Sequence, residues 1–291
     1  MTLRAIAILG LGLIGGSLGH ALRRAAGMEP TKTPAITGWD HNPAVVEAAL
    51  QRGAIDRAAA DAVSAVGAAD LVVVAVPVLA VPEVLALIAP ALGPQTIVTD
   101  VASTKTAICG WASGLLGPRF VGGHPMAGSE RGGITEARAD LFDGAVYCLT
   151  PESGTAPWAL DATTRMVEQI GARPRLLDPQ DHDRTVAAIS HLPFLLSTAL
   201  VEVTAADPEW DVLAEIAAGG FRDVSRLASA DARMHRDICL TNADAIRPWL
   251  QSAIHALSTF AHDLEDGDAL LRRFEHAKVA RDGMMAIKAK K

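Results

Sequence analysis

The chain has 291 residues, half of them hydrophobic and a fifth charged, enough for two domains that each bury a core, with no low-complexity stretch to mark disorder. Its 26 basic and 33 acidic residues leave a formal charge of −7, which offers a polyanion no overall positive field and argues against nucleic-acid binding. Cys109, Cys148 and Cys239 lack the close spacing of a metal or redox motif and read as reduced structural thiols.

In chain order, short β-branched runs alternate with alanine-rich helical stretches: "AIAIL" (5–9), "AITGW" (35–39), "LVVVAV" (71–76), "TIVTDV" (96–101) and "RFVGG" (119–123). Nearly continuous apolar strands separated by helices predict an α/β fold, a Rossmann-type doubly wound parallel sheet covered on both faces. The intervening helices fit residues 14–26, 43–52, 80–91 and 104–116, the second opening with Asn42 as N-cap and Pro43 at its first position. "AVYCLTP" and "RPRLLDP" are further strand candidates flanking a helix from Pro157, so the first domain extends over residues 1–178. From residue 179 to 291 the pattern is helical with almost no strand signal, which predicts a second, all-α domain. Its first helix is apolar around too much of its circumference for a lone surface helix and fits burial between helices or subunits.

The N-terminal apolar run leads straight into glycines and reads as a strand, not a signal peptide. The apolar stretch "LPFLLSTALV" is interrupted by Pro193, Ser197 and Thr198 and reads as too short to cross a bilayer. A cytoplasmic location, with no membrane partner, is the expectation.

"ILGLGLIGGSLGHALRRA" contains Gly10, Gly12 and Gly15 in the G-x-G-x-x-G spacing, after a predicted strand and at the start of a predicted helix. The first glycine would permit the tight turn, the second close approach of a pyrophosphate and the third close helix packing. Gly10, Gly12, Leu13, Ile14 and Gly15 are therefore candidate cofactor contacts, with the helix dipole facing the phosphates. Asp40 ends the second predicted strand, where its carboxylate would accept the ribose hydroxyls and repel a 2′-phosphate. No arginine follows it, so NAD is favoured over NADP.

Ligands of open parallel sheets sit beyond the carboxyl ends of the strands. Three segments bring chemistry there: "VAVP" with Val76 and Pro77, "TDVASTK" with Ser103 and Lys105, and "VGGHP" with His124. Ser103 or Thr104 could instead cap the following helix, and His124 could be a loop histidine held extended by Pro125. A metal site has no support, because no His-x-x-x-His or carboxylate pair accompanies His124. The helical half adds His191 in "ISHLPF" and Arg222, Asp223 and Arg226 in "GGFRDVSRLAS". The two arginines would share a face if a helix starts at Phe221, and surface salt bridges to Asp223 are their bland alternative.

Taken together and in this order, "GLGLIGGS", "TDVASTK", "GGHPMAGSE", "ISHLP" and "GGFRDVSR" resemble the prephenate and arogenate dehydrogenases of tyrosine biosynthesis over about residues 4–275. The resemblance implies an NAD-binding Rossmann domain, a helical dimerisation domain, a homodimer and an active site in the cleft between the domains. It also implies oxidative decarboxylation of a small cyclohexadienyl acid, without a metal. His124 would accept the proton of the ring hydroxyl, Ser103 would orient hydroxyl and histidine, Arg226 would hold the ring carboxylate and His191 would line the pocket. Glu130 would sit near the cleft. His235 stands where some relatives carry an aromatic residue, which bears on the side-chain pocket; both prephenate and arogenate stay open as substrates. Two rivals remain. A reductase or β-hydroxyacid dehydrogenase of similar build would place a lysine base in the helical domain, where Lys278 lies too near the C-terminus. A dinucleotide sensor would need the glycine loop but not the Ser103, His124 and Arg226 set.

Overall fold

The alternation of side chains along each strand decides the architecture. In β1 (Ala5–Leu9) Ile6 and Ile8 enter one apolar cluster and Ala7 and Leu9 another; β4 (Leu71–Val74) divides likewise between Val73 on one side and Val72 and Val74 on the other. Both faces are therefore buried, which is why these strands carry no polar residue in alternation. The structure is a computed structural model and describes residues 3–27, 34–129 and 131–289.

Among the described residues one sheet of eight strands has the order β3-β2-β1-β4-β5-β6-β7-β8. The remaining strands are β2 (Ala35–Trp39), β3 (Arg57–Ala58), β5 (Ile97–Asp100), β6 (Phe120–Pro125), β7 (Val146–Thr150) and β8 (Arg173–Leu176). Helices α1 (Leu13–Ala26), α2 (Pro43–Gln51), α3 (Ala62–Val66), α4 (Val81–Ile88), α5 (Thr106–Leu116) and α6 (Pro157–Gln169) make the crossovers. The α2 start follows the predicted cap, with Asn42 Oδ1 accepting the Ala44 N–H at 3.1 Å. Strand β7 departs from the predicted parallel sheet: it runs antiparallel to β6, whereas β8 is parallel to β7. Among the described residues between β6 and β7 there is one short 3-10 turn, Ile134–Glu136, and no crossover helix to return the chain to the opposite edge. The exposed two-residue β3 and the short α3, whose Asp61 and Ser64 form a reciprocal capping box, are absent from the sequence reading.

Beyond β8 the chain is helical: α7 (Pro179–Val186), α8 (Leu192–Ala205), α9 (Trp210–Ile216), α10 (Gly219–Ser225), α11 (Ala232–Thr241), α12 (Ala243–Asp263) and α13 (Gly267–Ala289). The expected break at Pro193 does not occur. Residues Pro179–Ala205 form one helix of 27 residues, with the wider π geometry over Ala187–His191 just before the proline. That π segment shifts the hydrogen-bond ladder where proline lacks its donor, so the helix continues. By length and composition this helix could cross a bilayer, yet it carries buried His182, Asp183 and His191, all hydrogen-bonded to protein groups.

The chain falls into two compact units, residues 1–245 and 246–291. In the second, Arg273 clips the α12–α13 hairpin: its guanidinium lies 3.8 Å from the Phe260 ring centroid and 3.4 Å from the Asp263 carboxylate. Ile254, Leu257, Leu271, Phe274 and Val279 are exposed on this hairpin.

Candidate active site

The glycine loop separates three jobs. Gly10 has φ +95°, and a Cβ there would lie 2.4 Å from the Ala75 carbonyl oxygen, so β1 and the chain leaving β4 touch through bare backbone. A Cβ on Gly15 would lie 1.9 Å from the Gly10 oxygen, which fixes close helix packing. A Cβ on Gly12 would meet nothing within 4 Å. Helix α1 begins at this open position with no side-chain cap and no acidic residue in its first turn, leaving its N–H groups to an anion. Leu13 and Ile14 are half-buried in that turn; Val76 is half-buried and Pro77 exposed beside the loop. Asp40 follows β2 and is already oriented: Oδ2 accepts the Leu11 N–H and Oδ1 the Asn42 N–H, both at 2.9 Å. Its remaining lone pairs can accept ribose hydroxyls. The residues present thus fit a dinucleotide.

Because β1, β4, β5 and β6 are parallel neighbours, the ends carrying the glycine loop, Val76, Ser103 and His124 share one edge. A buried ion pair ties two of those ends together. The Lys105 ammonium donates to Asp100 Oδ2 and, at 2.7 Å, to the Gly123 carbonyl; Asp100 Oδ1 accepts the Gly123 N–H at 3.0 Å. Lys105 is thereby a tie between the Ser103 loop and the residue preceding His124. The two glycines of "GGHP" are needed for this approach: a Cβ would come within 2.3 Å of Thr150 Oγ1 at Gly122 and 2.5 Å of the Asp100 oxygen at Gly123. Cys109 packs behind them, burial pushing its thiol up to about 11, and all three cysteines are free.

His124 is only 9% exposed, and its Nδ1 lies 2.9 Å from His182 Nε2 on α7. His182 Nδ1 lies 2.9 Å from Asp183 Oδ1. Asp183 also accepts the N–H groups of Lys105 (2.7 Å) and Thr106 (2.8 Å), so it caps α5 from another helix. This replaces the expected local cap: Thr104 instead contacts Thr241 Oγ1 at 3.0 Å, and Ser103 is half-buried with no hydrogen bond among the described residues. Burial opposes the Asp183 charge, but hydrogen bonds from His182, Thr106 and Lys105 outweigh it and hold the carboxyl below its ordinary value. Burial, reinforced by His182, Lys105 and His191, holds the His124 imidazole well below the ordinary histidine range, so it is neutral at cellular pH.

His191 closes the π segment, and its Nδ1 accepts from the Asn242 amide at 3.1 Å. The hydrogen then belongs on Nε2, which is buried without a partner among the described residues. Asn242 Nδ2 also donates to the Asp183 carbonyl at 3.0 Å, joining the end of α11 to α7. His191 is held down to about 4, chiefly by burial. Arg226 is exposed at the end of α10, which starts at Gly219 rather than Phe221; Arg222 lies 3.7 Å from Asp223. The segment that Arg226 opens is fastened to α8 by the buried Ser197, whose hydroxyl accepts the Ala228 N–H at 3.1 Å. His235 stacks on Phe194 with ring centroids 3.5 Å apart. Glu130 lies outside the described residues. The sequence reading names His124 and His191; His182, Asp183, Asn242 and Ser197, whose hydrogen bonds reach those histidines or the segment that Arg226 opens, lie outside it.

A family model described as "Prephenate dehydrogenase, nucleotide-binding domain" matches residues 18–176, and one described as "Prephenate dehydrogenase, dimerization domain" matches residues 178–276. A prephenate dehydrogenase of Bacillus subtilis is 36% identical over 287 residues, 96% of this chain and 76% of that protein. The crystal structure of Synechocystis arogenate dehydrogenase aligns with TM-score 0.81 and 33% identity, covering 96% of this chain and 99% of that one. Prephenate dehydrogenase from A. aeolicus, in complex with hydroxyphenyl propionate and NAD+, aligns with TM-score 0.90 and 29% identity, covering 98% and 99%.

Proposed function

The chain belongs to the prephenate dehydrogenase family, and from that premise we propose that it is a cytoplasmic, homodimeric enzyme catalysing NAD-dependent oxidative decarboxylation of prephenate, arogenate or both. The observation that carries this reading is a neutral, buried histidine on the same sheet edge as an uncapped helix start with open space at Gly12. In functional terms residues 1–178 bind the dinucleotide, and residues 179–291 serve substrate binding and dimerisation. The dimer is supported by the matched dimerisation region and the exposed apolar side chains of the α12–α13 hairpin.

Gly10, Gly12, Leu13, Ile14, Gly15, Val76 and Pro77 would hold the dinucleotide, with Asp40 at the ribose and NAD favoured over NADP. NAD, when bound, supplies the acceptor for the hydride leaving the ring carbon. His124 takes the hydroxyl proton, leaving a ring ketone. The electrons of the carbon–carbon bond to the ring carboxylate then flow into the ring, which becomes aromatic as carbon dioxide departs. A neutral imidazole suits that proton transfer. Ser103 orients the hydroxyl, and its free hydroxyl group is available to do so. Arg226 holds the ring carboxylate, for which its planar fork is suited. His191 would line the pocket, where its Nε2–H, without a partner among the described residues, could donate, and His235, stacked on Phe194, would bear on the choice between a keto-acid and an amino-acid side chain.

The test is an assay of purified protein with NAD or NADP and with prephenate or arogenate, following reduced nicotinamide. Turnover with NAD and at least one substrate is expected; none with either would overturn the assignment.

A further inference from the structure

We propose that His182 and Asp183 are positioning residues for this reaction: they hold the His124 imidazole in the tautomer with hydrogen on Nδ1, leaving the Nε2 lone pair as the proton acceptor. The proposal rests on the reading of His124 as the group that takes the hydroxyl proton.

The direction of the hydrogen bonds follows from the groups at the far end. The Asp183 carboxylate accepts two backbone N–H groups at the start of α5, and an ionised carboxylate can only accept. His182 Nδ1, 2.9 Å away, must therefore carry its hydrogen toward Asp183. With that hydrogen the only one on the His182 ring, as the proposal takes it, the other nitrogen, Nε2, is a lone pair. His124 Nδ1, 2.9 Å from it, supplies the hydrogen, and the second His124 nitrogen is left as a base. A nearly buried, unattached imidazole would populate both tautomers and more than one ring orientation, and only one combination presents a base to substrate. The ring planes of His124 and His182 meet at 68°, so the bond fixes orientation as well as tautomer.

The anchoring is rigid because it belongs to the fold. Asp183 is 3% exposed and also caps α5, while its own backbone carbonyl is tied to Asn242. One carboxylate thus registers α7 against the loop carrying Ser103 and against the histidine at the end of β6. As His124 takes the substrate proton, its Nδ1–H becomes a charge-assisted donor to His182, whose opposite face already meets Asp183. The developing positive charge is stabilised without side-chain movement.

Ring-nitrogen NMR of protein labelled with 15N-histidine tests the tautomer directly, with His124→Asn identifying the His124 signals. At neutral pH a protonated Nδ1 and an unprotonated Nε2 are expected; hydrogen on Nε2, or one averaged pair of signals, would overturn the proposal. In turnover, His182→Leu should lower kcat about a hundredfold, in line with the cost of a misdirected tautomer, while KM and NAD affinity stay within about twofold. His182→Gln, whose side-chain oxygen can accept from His124 and whose amide can face Asp183, should recover about tenfold of that loss. A packing role alone predicts the reverse order, with Leu tolerated better than Gln, and that order would count against the proposal. The NMR measurement needs no substrate. An Nδ1–H tautomer in a wild-type protein without turnover would retain the positioning and discard the reaction; an Nε2–H tautomer in an active enzyme would do the opposite.

Discussion

The dinucleotide cradle and the proton-acceptor centre share one sheet edge, but the first is made of backbone and the second of side chains. At Gly10, Gly12 and Gly15 the chain works by what it lacks: two positions where a Cβ would strike a carbonyl oxygen and one where it would stand in open space. At His124 the chain works by what it buries, two histidines and a carboxylate in series beside the Lys105–Asp100 pair. A backbone site is local and insensitive to pH. A buried side-chain site draws on distant elements, and its working form depends on which groups carry protons.

Breaking the buried side of this comparison should cost most. Lys105→Met leaves Asp100 buried without its cation, and a denaturant titration should show a loss of about 3–5 kcal/mol. Unchanged stability would remove the ion pair as the tie between the two strand ends. Acid should act on the same region through His191. Its folded value of about 4 lies below the ordinary 6.5, so the unfolded chain takes up the proton first as pH falls. Stability contributed by this group is complete above pH 6.5 and declines between 6.5 and 4, by about 3 kcal/mol in all. His191→Leu should flatten that decline, and an identical acid profile in the variant would contradict the assignment.

The backbone side gives a smaller and more selective effect. Gly15→Ala forces a Cβ against the Gly10 oxygen and should cost about 1–3 kcal/mol even without ligand. Gly12→Ala meets no protein atom, so melting without ligand should be unchanged while NAD affinity falls about tenfold or more, because the methyl occupies the line of approach of the pyrophosphate. Equal melting shifts in the two variants would erase the distinction between a packing glycine and a ligand-facing one.

The same division explains what could be read from sequence. The glycine loop, the Asn42–Pro43 helix start and the apolar strands announce themselves within a few residues, because their causes are local. His124 was legible as a candidate by its place at a strand end. Its support was not. His182 and Asp183 lie in "PQDHDRTV", a polar run in which the sequence analysis singles out no side chain, yet the structure buries both. Asp183 caps a helix 77 residues earlier in the chain, and Asn242 reaches His191 across 51 residues. No periodicity encodes such pairings. The antiparallel β7 was hidden for a related reason: its strand pattern is clear, but direction depends on the irregular chain that leads into it.

The central claim is that a buried, neutral His124 takes the substrate proton, and the pH dependence of kcat/KM in the wild type and in His124→Asn tests it most directly. Burial and the neighbouring His182, Lys105 and His191 depress this imidazole, so the wild-type acid limb should lie below pH 6.5. His124→Asn should lose about a hundredfold or more in kcat, keep its NAD affinity and show no such limb. The same acid limb persisting in His124→Asn, or wild-type turnover in that variant, would contradict the account.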